Sequence, residues 1–230
     1  MHHAGIALLF AATLTAQSNW FMRPPSGLGM RSGSMIAYDQ SRGLSVLFGG
    51  YSYITQGRVS DTWVYDGNIW QERVGAGGPS SYPNPGANTL GIAYDSARGV
   101  AVMTASASGG FSTYEFDGAH WTLVHTSVPA LQSRVDYALA YDTVRHVVVL
   151  FGGTYQNNNY GFCDTWTWDG ANWTQVASGG PHPRFKHAMA FDEQRGVLVL
   201  FGGLSSTGFS GNPPLYFGDT WQWNGSYWVE

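Results

Sequence analysis

Apolar residues in this chain fall into short, evenly repeated runs rather than helical stripes. Leu44 to Leu47, Val100 to Met103, Val147 to Leu150 and Val197 to Leu200 are nearly continuous in Val, Leu, Met and Ala. A run of that length, rich in β-branched residues and bounded by turn signals, predicts a strand buried on both faces. Ahead of each run stands an aromatic-Asp step: Tyr38-Asp39, Tyr94-Asp95, Tyr141-Asp142 and Phe191-Asp192. Between step and run lie Asp-x-x-Arg-Gly turns, in which Asp accepts turn amides and Gly supplies a positive φ. His146 replaces that Gly in the third unit and is expected to strain or reshape its turn.

Beyond each run the pattern changes to alternation. Trp63 and Tyr65, Tyr114 and Phe116, Trp166 and Trp168, and Trp221 and Trp223 are spaced two apart and so share one face of a third strand. Asp66-Gly67, Asp117-Gly118, Asp169-Gly170 and Asn224-Gly225 then signal a hairpin into a fourth strand, which carries Trp70, Trp121, Trp173 or Trp228. Four strands per unit, repeated roughly every 50 residues, are the signature of propeller blades.

Three units also carry Phe-Gly-Gly after the second strand (Phe48, Phe151, Phe201) and Asp-Thr-Trp at the third (Asp61, Asp164, Asp219). The second unit has Thr104-Ala105-Ser106 and Ser112-Thr113-Tyr114 at these places. On these motifs the chain, over residues 31–230, resembles kelch-repeat β-propellers, in particular secreted bacterial kelch-type proteins. The resemblance implies an all-β fold of four-stranded antiparallel blades with the aromatic-Asp strand innermost, lining a central channel. The blades are expected at about 31–75, 87–126, 134–178 and 184–230, within a domain spanning 17–230. Asn19–Arg23 resembles the Trp173 strand and is expected as an extra outer strand. Four units lie at the low edge of propeller sizes. Either the chain ends share one strand position, or these are the N-terminal blades of a longer ring, which is the expectation adopted. Open blades would invite self-association.

Composition narrows the partners. A net charge of −4 and a single lysine, Lys186, offer no cationic cluster for nucleic-acid phosphates. Residues 1–16 carry a short apolar stretch from Ala4 to Ala12, with small and polar residues up to Ala16. This reads as a signal peptide and implies a secreted or periplasmic protein with no membrane insertion. Cys163 is the one cysteine and cannot form an internal disulfide; it is either a packing residue or a reactive thiol.

Candidate chemistry lies mainly on one face. In an up-and-down blade, the second-to-third and fourth-to-first connections share a face, and here those connections vary in length. They carry Tyr51, Tyr53, Tyr155, Asn157, Tyr160, Phe209 and Tyr216, aromatic rings beside amides that suit a glycan or protein ligand. Arg31, Arg134 and Arg184 recur seven residues before the aromatic-Asp step, with Ala87 at that place in the second unit. They either form a partial ring that holds carboxylates bidentately or brace neighbouring blades through hydrogen bonds to loop carbonyls. His187 and Asp136 depart from the repeat near the start of innermost strands and are weak candidates for acid-base catalysis. Galactose oxidase-type copper enzymes share the kelch propeller, but their ligand motif cannot be traced, so neither metal nor cofactor is expected. The reading is a secreted, non-catalytic binding module. The alternative is a carbohydrate-active hydrolase, lyase or oxidase on the same scaffold.

Overall fold

A computed structural model describes residues 27–79, 90–107, 110–126, 131–155, 158–205 and 214–230. The signal peptide and the extra strand expected before residue 27 lie outside these residues. The described chain is all β, with no helix, and forms four antiparallel four-stranded blades of a propeller. Blade I comprises Met35–Asp39, Leu44–Ser52, Gly57–Tyr65 and Trp70–Glu72, with Arg31–Ser32 added against the end of its second strand. Blade II comprises Leu90–Asp95, Val100–Ala107, Gly110–Phe116 and Trp121–Thr126. In blade III they are Ala138–Asp142, Val147–Phe151, Thr165–Trp168 and Trp173–Ala177. Blade IV has Ala188–Asp192, Val197–Phe201, Thr220–Trp223 and Trp228–Val229. The aromatic-Asp strands are innermost, and those of blades I and II, II and III, and III and IV pack against each other.

The repeated turn builds itself from its own side chains. Asp39 Oδ1 accepts the Arg42 amide at 3.0 Å while Oδ2 accepts Arg42 Nη1 at 2.7 Å. Asp142 does the same for Arg145, at 2.9 and 2.7 Å. The turn closes through a left-handed residue, Gly43, Gly99 or Gly196, and His146 adopts the same conformation with φ at 57°. The arginines then reach across to the following blade: Arg42 Nη1 donates to the Gly99 carbonyl and Arg145 Nη1 to that of Gly196.

Blades dock through the fourth-strand tryptophan. Trp121, Trp173 and Trp228 each donate the indole N–H to a buried threonine of the preceding blade: Thr62 at 3.0 Å, Thr113 at 2.8 Å and Thr165 at 2.9 Å. These are the threonines of Asp-Thr-Trp. The second unit has lost the flanking Asp and Trp yet keeps Thr113, because the indole still needs an acceptor once buried. Trp121 and Trp228 also meet the preceding blade's Phe48 and Phe151 edge-on, with centroids 5.6 and 5.0 Å apart. Stacked this way, blade III has its second strand buried from Val148 to Phe151. In blade IV, Leu198 and Leu200 are buried but Phe201 is 55% exposed, with no blade packed on that side among the described residues.

Candidate functional site

The variable connections form one face of the propeller, and the arginines make its floor. Arg134 is fully buried. Its Nη1 and Nη2 engage Asp164 Oδ1 and Oδ2 at 2.6 and 2.9 Å, Nη1 also donates to the Gly152 carbonyl, and Nε donates to that of Gln132. The guanidinium lies 4.0 Å over the Phe162 ring. Arg184 repeats the arrangement with Asp219 at 2.6 and 2.7 Å, the Gly202 and His182 carbonyls, and Phe217 at 4.1 Å. Arg31 pairs with Asp61 at 2.8 and 3.0 Å and donates to the Gly49 carbonyl. In each case the Asp carboxylate also accepts the indole N–H two residues on, from Trp63, Trp166 or Trp221.

The carboxylates are held in their charged form. Arg184, with the Trp221 indole, brings Asp219 down to about 2 against the opposing effect of burial. Burial pushes Asp164 up, but the Arg134 contacts outweigh it and leave the group below the ordinary carboxylate range. Of the two roles open to the arginines, bracing is the one the geometry realises. Arg134 and Arg184 lie under the connections with their donors turned inward, out of reach of a ligand above. The brace ties strand ends within one blade, rather than one blade to its neighbour as expected. The sequence held a signal for the pairing: Arg and Asp occur together in three units, and the second has Ala87 and Ser112 instead. Phe162 and Phe217, the platforms beneath the guanidinium groups, were missed, although both stand two residues before the paired Asp, where the first unit has Val59.

Above this floor the second and third strands extend into hairpins. In blade I the ladder continues through Tyr51↔Arg58 and Ser52↔Gly57. Blade III adds Thr154–Tyr155 against Asn158–Gly161, and blade IV adds Leu204–Ser205 against Leu215–Tyr216. These hairpins present Tyr53, Ile54, Tyr155, Leu215 and Tyr216 to solvent, Tyr216 at 72% exposure. Tyr51 is half-buried and props Tyr53 edge-on at 5.5 Å; Tyr155 leans on Phe162 at 5.0 Å. Tyr160 lies on the blade III hairpin, while Asn157 and Phe209 fall outside the described residues. A preorganised ring on a braced hairpin loses little entropy when it stacks on a ligand.

His187 and Asp136 are not brought into a catalytic pair. His187 is buried between blades III and IV, edge-on to Phe151 at 5.5 Å, and neither ring nitrogen has a hydrogen-bond partner of good geometry. Burial and the nearby Arg184 push its pKa down to about 4, against a weak pull from the Phe151 carbonyl, so the imidazole is neutral at physiological pH. Asp136 adopts φ of 57°, like Lys186 at 57° and Gly33 at 65° in the same repeat position. That place asks for a residue that tolerates the left-handed region, which Asp does. Its carboxylate is 3.9 Å from Lys186 Nζ.

His187 should make folding pH-dependent. The unfolded chain takes up this proton near pH 6.5, the folded chain only near pH 4. Between those values the unfolded state binds more protons, so stability falls as pH drops through the window, by about 3 kcal/mol in total. Urea unfolding at pH 7, 5.5 and 4 should show a shallower decline for His187→Leu, the residue type found in the second unit. Parallel declines for both proteins would refute the assignment.

Cys163 is half-buried with Sγ 3.6 Å from the Ser178 carbonyl, and burial beside Asp164 raises its pKa, which favours the inert thiol. A concavity of about 240 Å³ opens on the side opposite the connections, between Tyr38, Tyr94, Tyr141, Phe191 and Glu193. Burial and Asp95 push the Tyr141 hydroxyl up to about 12. Among the described residues no group of three His, Cys, Asp or Glu side chains could hold a metal ion.

Fold and face together define a β-propeller with an aromatic connection face on a braced floor. The structure of YjhT is similar to it, with a TM-score of 0.59 over 86% of this chain and 66% of that one, at 12% identity. Likeness at that identity shows the propeller fold. No protein-family model matches the chain, and a search of curated proteins finds no match.

Proposed function

We propose that this is an exported kelch-type binding module that recognises a glycan or protein through its connection face, without catalytic machinery of its own. One observation carries the reading. Tyr53, Tyr155 and Tyr216 stand exposed on three projecting hairpins of one face, above arginine-aspartate braces that hold the hairpin bases. Aromatic rings placed this way stack on sugar faces or fill side-chain pockets at low ordering cost. The enzymatic alternative gains no support from its candidates, since the His187 ring is buried against Phe151 and makes no hydrogen bond to the Asp136 carboxylate.

Alanine at Tyr53, Tyr155 and Tyr216 together is expected to weaken binding at least 100-fold, on the order of 1 kcal/mol per ring. The melting temperature should stay within a few degrees, because all three rings are exposed. Binding would be read on a glycan array and by pull-down from an extracellular protein fraction, with positives quantified by calorimetry. Unchanged affinity for a verified ligand would remove the connection face from the reading.

A further inference from the structure

The concavity opposite the connections is lined by one aromatic ring from the innermost strand of each blade: Tyr38, Tyr94, Tyr141 and Phe191. Two of the hydroxyls are already spent. Tyr94 donates to Ser41 Oγ of blade I at 2.8 Å, and Ser41 in turn donates to Asp39. The Tyr141 oxygen accepts the Ala97 amide of blade II at 3.4 Å and is hydrogen-bonded to the Asp95 carboxylate. With their polar ends tied to the preceding blade, these rings are fixed in place and offer the concavity carbon surface.

Blade IV departs from this repeat twice, and both departures line the same space. Phe191 has no hydroxyl at all. Two residues beyond the ring, where the other blades carry the neutral Gln40, Ser96 and Thr143, blade IV carries Glu193. Glu193 is exposed, and its carboxylate has no hydrogen bond or ion pair among the described residues. The turn guanidinium groups nearby do not neutralise it. Arg42, Arg98, Arg145 and Arg195 each pair with the Asp of their own turn, at 2.7 Å in every case. The site therefore combines π faces, which attract positive charge, with one uncompensated carboxylate. An anion is repelled by both features. A metal ion such as calcium needs six or more oxygen ligands, far more than one carboxylate supplies. A neutral sugar would lack the phenol hydroxyls that Ser41, Ala97 and Asp95 already occupy.

We propose that this concavity binds the alkylated ammonium group of a small organic cation, with the aromatic rings around its methyl groups and Glu193 as its counter-charge. A volume of about 240 Å³ lies below the roughly 300–1,000 Å³ of sites for drug-sized ligands, so it admits one such head group and little more. The site lies on the opposite side from the exposed tyrosine hairpins and stands independently of the ligand proposed for them.

The test is saturation-transfer NMR on the full chain, titrated with choline, tetramethylammonium and 3,3-dimethylbutan-1-ol, the uncharged carbon isostere of choline. Both cations are expected to bind saturably, and the neutral alcohol at least about tenfold more weakly than choline. Glu193→Gln and Phe191→Leu should each weaken choline binding about fivefold; leucine keeps apolar volume but removes the π face. Ser96→Glu, which adds a second carboxylate to the same rim, should tighten it. Glu193 and Ser96 are both exposed, so these two variants keep the test intact if Phe191→Leu melts early. The combined alanine variant of Tyr53, Tyr155 and Tyr216 should bind choline like the wild type, which separates this site from the connection face. Failure of both cations to saturate overturns the proposal. So does equal binding of the neutral alcohol, since the concavity would then be merely apolar. Choline binding that neither Glu193→Gln nor Ser96→Glu alters also overturns it.

Discussion

Arg134→Met is expected to destabilise the protein by about 3–5 kcal/mol, the scale for removing one partner of a buried ion pair. Methionine fills much of the arginine's volume, so lost packing is the smaller part. The larger part is the Asp164 carboxylate, left among Trp166 and Phe162 without its counter-charge, and the Gly152 carbonyl, left without its donor. Two comparisons isolate that cause. Arg31→Met should cost less, because Arg31 and Asp61 both keep some solvent contact. A double variant, Arg134→Met with Asp164→Ser, should regain most of the loss, since it copies the Ser112 found in the second unit where Ala87 replaces the arginine. Urea unfolding followed by tryptophan fluorescence reads all three. A single variant within 1 kcal/mol of wild type would show that the brace contributes geometry rather than stability.

Trp168→Ala should cost a similar amount, about 3–5 kcal/mol, by opening a cavity where two blades meet. Trp168 is 1% exposed, tilts against Trp173 at 5.7 Å and donates its indole to Glu115 of blade II at 3.2 Å. Its loss therefore removes buried apolar area and leaves Glu115 with Arg98 alone, at 2.5 Å. Because the gap separates blades I and II from III and IV, the melt should also broaden toward two transitions. Trp70→Ala is the reference: the same residue type on an open face should cost far less. Equal costs at the two sites would contradict the burial argument.

These two residues also show where sequence reading stops. Trp168 was legible as half of an i, i+2 aromatic pair on a third strand, and its packing against a neighbouring blade followed from the strand's period. The Arg134 recurrence was equally visible, yet its role stayed open between ligand and brace. Deciding it required knowing that Asp164, 30 residues on, ends two hydrogen bonds away. For His187, the sequence showed only a departure from the repeat. Its burial against Phe151 comes from an adjacent blade, and so does the fall of its pKa.

By itself the sequence determined strand positions, the order within each blade, the turns and the four-fold repeat. Those follow from local rules: apolar period, Asp and Gly turn chemistry, and aromatic spacing all act within a few residues. Tertiary structure alone decided which threonine receives each indole, which arginines are consumed as braces, and how His187 is buried. Those depend on side chains that approach from another blade or from a distant strand of the same one, dozens of residues away, where burial turns a repeated pattern into a hydrogen bond or a charge pair.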